Sequence, residues 1–213
     1  MRALVVAKAP LPGRVKTRLG AHVGMEAAAR LAAAALLDTL ATCRAAFTEC
    51  HLALEGDVAD ALDANALRRA LKGWIVHQQR GHGLGERLAR AHVDAAGTGP
   101  TVQVGMDTPQ LTTDDLHAVA EAASTGDAVL GPATDGGWWV LALSDPSAAA
   151  VLADVPMSRP HTFASTRRAL VAAGQTVRVG HELTDVDTVH EAARVAGSLT
   201  GGHFLQAWRT VTA

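Results

Sequence analysis

The sequence has no tyrosine, and its total aromatic content is only 3%. An open sheet that stacks successive bases needs aromatic platforms, so this scarcity argues against single-stranded nucleic-acid binding. A strong charge of one sign is also missing: 19 lysines and arginines stand against 21 aspartates and glutamates, for a net charge of −2. General nucleic-acid binders are far more basic, and no nucleic-acid partner is expected. Cysteine is nearly absent. Cys43 and Cys50 alone make no disulfide framework, and an apolar strand follows Met1 at once in place of a signal segment, so the expected location is the cytoplasm. No apolar run is long enough to cross a bilayer, which excludes a membrane partner at this level. The ten histidines show no zinc spacing. Neither a Gly-x-Ser-x-Gly elbow nor a cysteine-centred dyad occurs, leaving covalent catalysis without support.

What the chain does have is enough apolar material, 48% of 213 residues, for one sizeable core, so residues 1–213 are expected to form a single domain. Strand-like runs at residues 3–6, 51–54, 74–76, 101–104, 127–130, 138–143 and 177–179 alternate with helical patterns. The helices fall at 25–46, 58–71, 86–96, 112–124 and 163–173, and the tail from Val189 is mostly helical. Such alternation predicts an α/β chain with a mostly parallel sheet covered on both faces. Phe204, Leu205 and Trp208 in the tail are expected to close the core. Oligomeric state is left open.

In folds of this class ligands sit beyond the carboxyl ends of the strands, so the residues following each strand carry the function. The first strand runs into Ala7-Lys8-Ala9-Pro10-Leu11-Pro12-Gly13-Arg14-Val15-Lys16-Thr17-Arg18-Leu19. Two prolines and a glycine stiffen this loop around Lys8, Arg14, Lys16 and Arg18, ahead of a long alanine-rich helix. Clustered cations with free backbone N–H groups suit a polyphosphate; a solvated basic loop is the plainer alternative. Walker and Rossmann glycine spacings are both absent. The third strand feeds Gln78-Gln79-Arg80-Gly81-His82-Gly83-Leu84-Gly85, in which glycines allow close backbone approach and Gln or Arg can read a base edge or a phosphate.

Acidic residues appear after later strands. Asp107, between Gly105 and Pro109, stands directly after the fourth strand, and Asp185-Val186-Asp187 lies near another strand end. Each could serve as a turn former or helix cap. Together they also meet the needs of Mg²⁺, which takes a few carboxylate oxygens and fills its remaining positions with water and phosphate. Asp135-Gly136-Gly137 either makes a turn or holds an acceptor hydroxyl. Trp138 and Trp139 follow it, one expected in the core and the other as a pocket wall.

The cationic loop from Ala7 to Leu19, Gly105-Met106-Asp107-Thr108-Pro109-Gln110-Leu111, Leu130-Gly131-Pro132-Ala133-Thr134-Asp135-Gly136-Gly137 and Asp185-Val186-Asp187-Thr188 together resemble a bacterial family provisionally named nucleotide-diphospho-sugar transferases. That family was formerly a domain of unknown function and is similar to phospholactate guanylyltransferases and molybdenum-cofactor nucleotidyltransferases. The resemblance spans nearly the whole chain. It implies the GT-A fold, a three-layer sandwich with a mostly parallel sheet. It further implies that Lys8, Pro12, Gly13, Arg14, Lys16 and Arg18 contact nucleotide phosphates, and that Gln79, Gly83, Leu84 and Gly85 border the nucleoside. Asp107 with Asp187 or Asp185 would hold Mg²⁺ or Mn²⁺, Asp135, Gly136 and Gly137 would face the acceptor, and Lys16 and Asp107 are the candidate catalytic residues. Two departures stand out: Trp138 and Trp139 replace the usual tyrosines, and Val189-His190-Glu191 replaces a Pro-Glu-Asp continuation.

The expected reaction is transfer of a nucleotidyl group from a nucleoside triphosphate to a small phosphorylated or carboxylated acceptor. Such chemistry needs positioning and charge neutralisation more than a strong base. Glycosyl transfer from a nucleotide-diphospho-sugar donor is the alternative, and a catalytically inactive nucleotide-binding regulator is a third.

Overall fold

The computed structural model describes residues 1–213. Strand β1 (Arg2–Lys8) runs through the middle of the molecule because its residues are apolar on both faces. It pairs in parallel with β2 (Glu49–Glu55) on one side and β4 (Thr101–Val104) on the other. With β3 (Ile75–Gln78), β5 (Ala128–Pro132), β6 (Trp138–Leu143) and β7 (Val177–Val179), the sheet has seven strands in the order β3-β2-β1-β4-β6-β5-β7. Only β6 runs antiparallel to its neighbours β4 and β5, so the sheet is mostly parallel, as expected.

Period-two alternation splits β1 between two cores. Ala3, Val5 and Ala7 face α2 (Met25–Ala46) and α5 (Thr113–Ser124), in a cluster of 30 buried residues. Leu4 and Val6 face the opposite layer, built by α4 (Gly83–Asp94), a 3₁₀ helix at Pro146–Asp154 and α6 (Thr162–Ala172). The alanines of α2 also pack outward, where α1 (Thr17–Val23), α7 (Val189–Ser198) and α8 (His203–Val211) form a further apolar cluster. Phe204 is fully buried there and Leu205 nearly so, so the tail does close the core. No helix is long and apolar enough to cross a membrane. This three-layer arrangement is the α/β GT-A architecture expected from the sequence.

Several boundaries differ from the sequence expectation, each for a local reason. The helix read at 58–71 is a 3₁₀ turn (Val58–Asp60) capped by Asp57, followed by α3 (Ala64–Ala70). Asp63, in a left-handed conformation with φ 59°, separates them. Helix α1 was not anticipated, since it begins at Lys16 with no side-chain cap to announce it. The tail breaks into α7 and α8 at Gly202, whose φ is 102°. Asp38 on α2 then caps α8 by accepting hydrogen bonds from His203 N–H and Phe204 N–H, both at 2.8 Å.

Candidate active site

A cavity of about 400 Å³ opens at the carboxyl ends of β1 and β4 and reaches the β5–β6 turn. The central group in it is Lys16. Its Nζ donates to Asp107 Oδ2 at 2.5 Å and to Asp187 Oδ1 at 2.7 Å, and its side chain is only 7% exposed. The backbone there is left-handed, with φ 47°, a conformation that costs a side-chain-bearing residue energy and persists only where surrounding structure enforces it.

Three separate chain segments are fixed to make this contact. Asp107 follows β4 directly, between Gly105 and Pro109. The late acidic segment is anchored onto it, because Val186 is buried and its N–H donates to the Asp107 carbonyl at 2.9 Å. Asp185 and Asp187, on either side of that anchor, both line the cavity. Thr188 caps α7, and Glu191 closes the capping box by accepting from Asp187 N–H and Thr188 N–H at 2.9 and 2.7 Å. The Val-His-Glu continuation therefore holds Asp187 in place.

Electrostatics divide the three carboxylates. Burial pushes Asp185 up to about 8, reinforced by the charge of Asp107 and opposed by Lys16. Burial acts on Asp187 in the same direction, but Lys16 and Arg18 outweigh it and hold its carboxyl below the ordinary value. Burial alone would favour a neutral Lys16; Asp107 and Asp187 reverse that and raise its pKa above the usual lysine value. The centre thus consists of the Lys16 ammonium held between Asp187 and Asp107, with burial opposing the ionisation of Asp185 beside them.

Two oxygens from different segments converge on one cationic nitrogen, which is the donor set a small divalent ion also uses. No three acidic, histidine or cysteine side chains form a closed cage. The residues fit an ion that keeps water and phosphate among its ligands, with Asp107 and Asp187 as donors and Asp185 beside them.

Of the four loop cations, Lys8, Arg14 and Lys16 line the cavity. Lys8 pairs with Glu55 at 3.3 Å, Arg18 pairs with Asp187 from outside the cavity, and Arg14 alone has no carboxylate partner. Pro12 and Gly13 do not line it; they shape the turn that Arg14 N–H closes onto the Leu11 carbonyl at 3.0 Å. Gln79 and Leu84 line it. The Gln79 Nε2 group is occupied by the Ala7 and Ala53 carbonyls, each at 2.9 Å, which leaves its Oε1 to accept from a ligand.

Gly83 and Gly85 sit elsewhere. Both belong to the first turn of α4 and not to a loop, and neither lines the cavity. A Cβ at Gly85 would lie 2.2 Å from the Leu152 carbonyl oxygen, so this glycine lets α4 pack on the 3₁₀ helix. Asp135 and Gly137 line the cavity, with Asp135 Oδ1 accepting from Gly137 N–H at 2.7 Å. Gly136 instead lies against Pro160, whose carbonyl oxygen is 2.0 Å from where a Cβ would be.

Residues not singled out by sequence complete the walls. Gln103 on β4 lies at the cavity with its Oε1 2.9 Å from His92 Nε2. Met157, Ser158, Arg159 and Thr162, from the loop before α6 and its first turn, also line the cavity, as does Trp138. Both tryptophans line the cavity: Trp138 is half-buried, its Nε1–H donating to Thr166 at 3.2 Å, and Trp139 is buried, so the expected division into one wall and one core residue is not clean. Pro156-Met157-Ser158-Arg159-Pro160, two prolines bracketing a polar turn, was the available signal.

The layered sheet, the cationic loop after β1 and the acids after β4 and β7 define a chain of the nucleotidyl and sugar-nucleotide transferase fold class. A protein of Desulfovibrio desulfuricans G20 provisionally named a nucleotide-diphospho-sugar transferase superposes with a TM-score of 0.84, is 25% identical, and covers 98% of this chain and 94% of its own. A nucleotidyl transferase from Methanothermobacter thermautotroptrophicus superposes at 0.58 with 20% identity, over 97% and 98% of the two chains. Rv0371c from Mycobacterium tuberculosis H37Rv, solved in complex with manganese, gives 0.54 and 21%, over 93% and 99%. The last two likenesses establish fold alone. A search of curated proteins returned no match. The chain belongs to the DUF2064 family, described as uncharacterized proteins conserved in bacteria, which it matches over residues 37–159.

Proposed function

We propose that the chain is a nucleotidyltransferase acting from a nucleoside triphosphate onto a small acceptor that carries a phosphate or carboxylate. The observation that carries this reading is the convergence of Lys16, Asp107 and Asp187 beside a cavity that also holds the unpaired Arg14. In this reading Arg14 and Lys16 bind the triphosphate, Lys16 exchanging its carboxylates for phosphate oxygens. Asp107 and Asp187, released by that exchange, would hold the divalent ion. A bound Mg²⁺ or Mn²⁺ supplies charge neutralisation on the phosphates and on the departing pyrophosphate. The acceptor oxygen bonds to the α-phosphorus as the bond to pyrophosphate breaks. An acceptor carboxylate or phosphate is already anionic, so no side chain has to remove a proton.

The test is to combine the chain with each nucleoside triphosphate, Mg²⁺ and anionic acceptors and to measure pyrophosphate. Its appearance with one nucleotide is the expected result. Release of a nucleoside diphosphate from nucleotide-sugar donors, without pyrophosphate from any triphosphate, would replace this reading with glycosyl transfer. The name of the Desulfovibrio relative favours that second reading. Tight nucleotide binding without either product would leave a regulator.

A further inference from the structure

The cavity is lined by four acidic side chains, of which Asp107, Asp135 and Asp187 are set beside Asp185, whose ionisation burial opposes. An anionic acceptor entering beside them needs a cation of its own, and most cations nearby are already committed. Lys16 bridges two aspartates and Lys8 pairs with Glu55. Arg14 belongs to the loop after β1, on the donor side. The remaining cavity cation without a carboxylate partner is Arg159.

The backbone of Arg159 is fixed by its loop, while its exposed side chain makes no ion pair. The preceding Ser158 is left-handed at φ 56°, one of only three non-glycine residues with positive φ in the chain; Lys16, in the same cavity, is another. Thr162 Oγ1 accepts from Arg159 N–H and donates to the Pro156 carbonyl, each at 3.0 Å. The loop is also locked to the β5–β6 turn. Phe163 N–H donates to the Gly136 carbonyl at 2.9 Å, and Pro160 occupies the space that Gly136 leaves open. That turn lies beyond β4 from β1 in the sheet order, which puts Arg159 across the Asp107 strand from Arg14.

We propose that Arg159, set beside the Trp138 wall by the 156–162 loop, is the anion-binding residue of the acceptor subsite and takes the carboxylate or phosphate of the acceptor as a two-pronged partner. This assignment rests on the transferase reading above and adds the residue that selects the acceptor. A planar guanidinium matches both anions through paired N–H donors, which a lysine ammonium cannot do. The body of the acceptor then lies along Trp138 and Met157.

The experiment compares wild type with Arg159→Gln and Arg159→Lys on size-matched acceptors bearing a carboxylate, a phosphate or only neutral hydroxyls. Pyrophosphate release gives KM and kcat, and calorimetry gives nucleotide affinity. The proposal expects wild type to use anionic acceptors and the Gln variant to raise their KM tenfold or more with kcat less affected. Nucleotide affinity should stay unchanged, and the Lys variant should recover only part of the loss. Whichever anionic arm Arg159→Gln damages more identifies the group recognised. Unchanged KM in the Gln variant, or preference for neutral acceptors, overturns the subsite while leaving nucleotidyl transfer intact. If no acceptor yields pyrophosphate although the triphosphate binds, the transferase reading fails, and the subsite is judged by tryptophan fluorescence. Inorganic phosphate and acetate are then titrated into protein saturated with a non-hydrolysable nucleoside triphosphate. A saturable change in wild type that Arg159→Gln abolishes supports the subsite; no change, or the same change in both, overturns it.

Discussion

Lys16 Nζ lies 2.5 Å from Asp107 Oδ2 and 2.7 Å from Asp187 Oδ1, so a lysine occupies the point at which two carboxylates would meet a divalent ion. In the proposed reading, lysine and metal would compete for the same oxygens. Lys16→Met should leave two neighbouring acids without a counter-charge, and Mn²⁺ affinity without nucleotide should rise by about tenfold, the equivalent of about 1.4 kcal/mol. Nucleotide affinity should fall in the same variant, because the phosphates lose a cation. Mn²⁺ titration followed by electron paramagnetic resonance and nucleotide titration by calorimetry read the two effects separately. Unchanged Mn²⁺ affinity would show that the ion does not use these oxygens.

His92 provides a pH prediction outside the catalytic centre. It is fully buried, its Nε2–H donates to Gln103, and its Nδ1 has no partner. Burial lowers its pKa from 6.5 to about 4, with the Gln103 bond opposing. The folded chain therefore resists a proton that the unfolded chain accepts. The His92 contribution to stability is complete above about pH 6.5 and declines as pH falls toward about 4, by a total on the order of 3 kcal/mol. Buried Asp185 acts in the opposite direction over the same window, so the measure is a difference: in urea unfolding, the stability of wild type relative to His92→Gln should fall as pH is lowered from about 6.5 to about 4.

The segments that line the candidate site were legible because their signals are local. Crowded cations between prolines mark the Lys8–Arg18 loop, and an aspartate at the end of a buried run marks Asp107. Helix α2 was read to its observed limits, Met25–Ala46, from its alanine content and leucine spacing. Roles that depend on a distant partner were not legible. Gly85 and Gly136 look in sequence like glycines that free a backbone for a ligand, yet their need is set by the Leu152 and Pro160 carbonyls. Arg159 resembles any exposed arginine until the loop and the β5–β6 turn are brought together. The Lys16 bridge joins residues 91 and 171 positions apart, and only the fold places them in contact.

Asp38 ties the tail to the central helix. Its two oxygens accept from the first N–H groups of α8 at 2.8 Å, acting as an N-cap supplied from another element. Asp38→Ala should cost about 1–2 kcal/mol of stability, in line with loss of a helix cap. Chemical denaturation measures the loss, and nucleotide affinity should be unaffected because α8 is remote from the cavity. A change below the error of the measurement would mean that Phe204 burial alone holds the tail.

Gly136 separates the two halves of the cavity experimentally. It has φ 88°, and a Cβ there would lie 2.0 Å from the Pro160 carbonyl oxygen. Backbone on both sides leaves no flexible side chain to yield, so Gly136→Ala must lift the 156–162 loop or distort the turn. The expected cost is about 2–4 kcal/mol, combining an unfavourable φ with an overpacked contact. The loop carries Arg159, whereas Arg14 and Lys16 are held by a different segment, so the damage should fall unevenly. Nucleotide affinity in the folded variant should stay close to wild type while acceptor KM rises severalfold. Equal losses on both sides would mean that the turn supports the donor half as well.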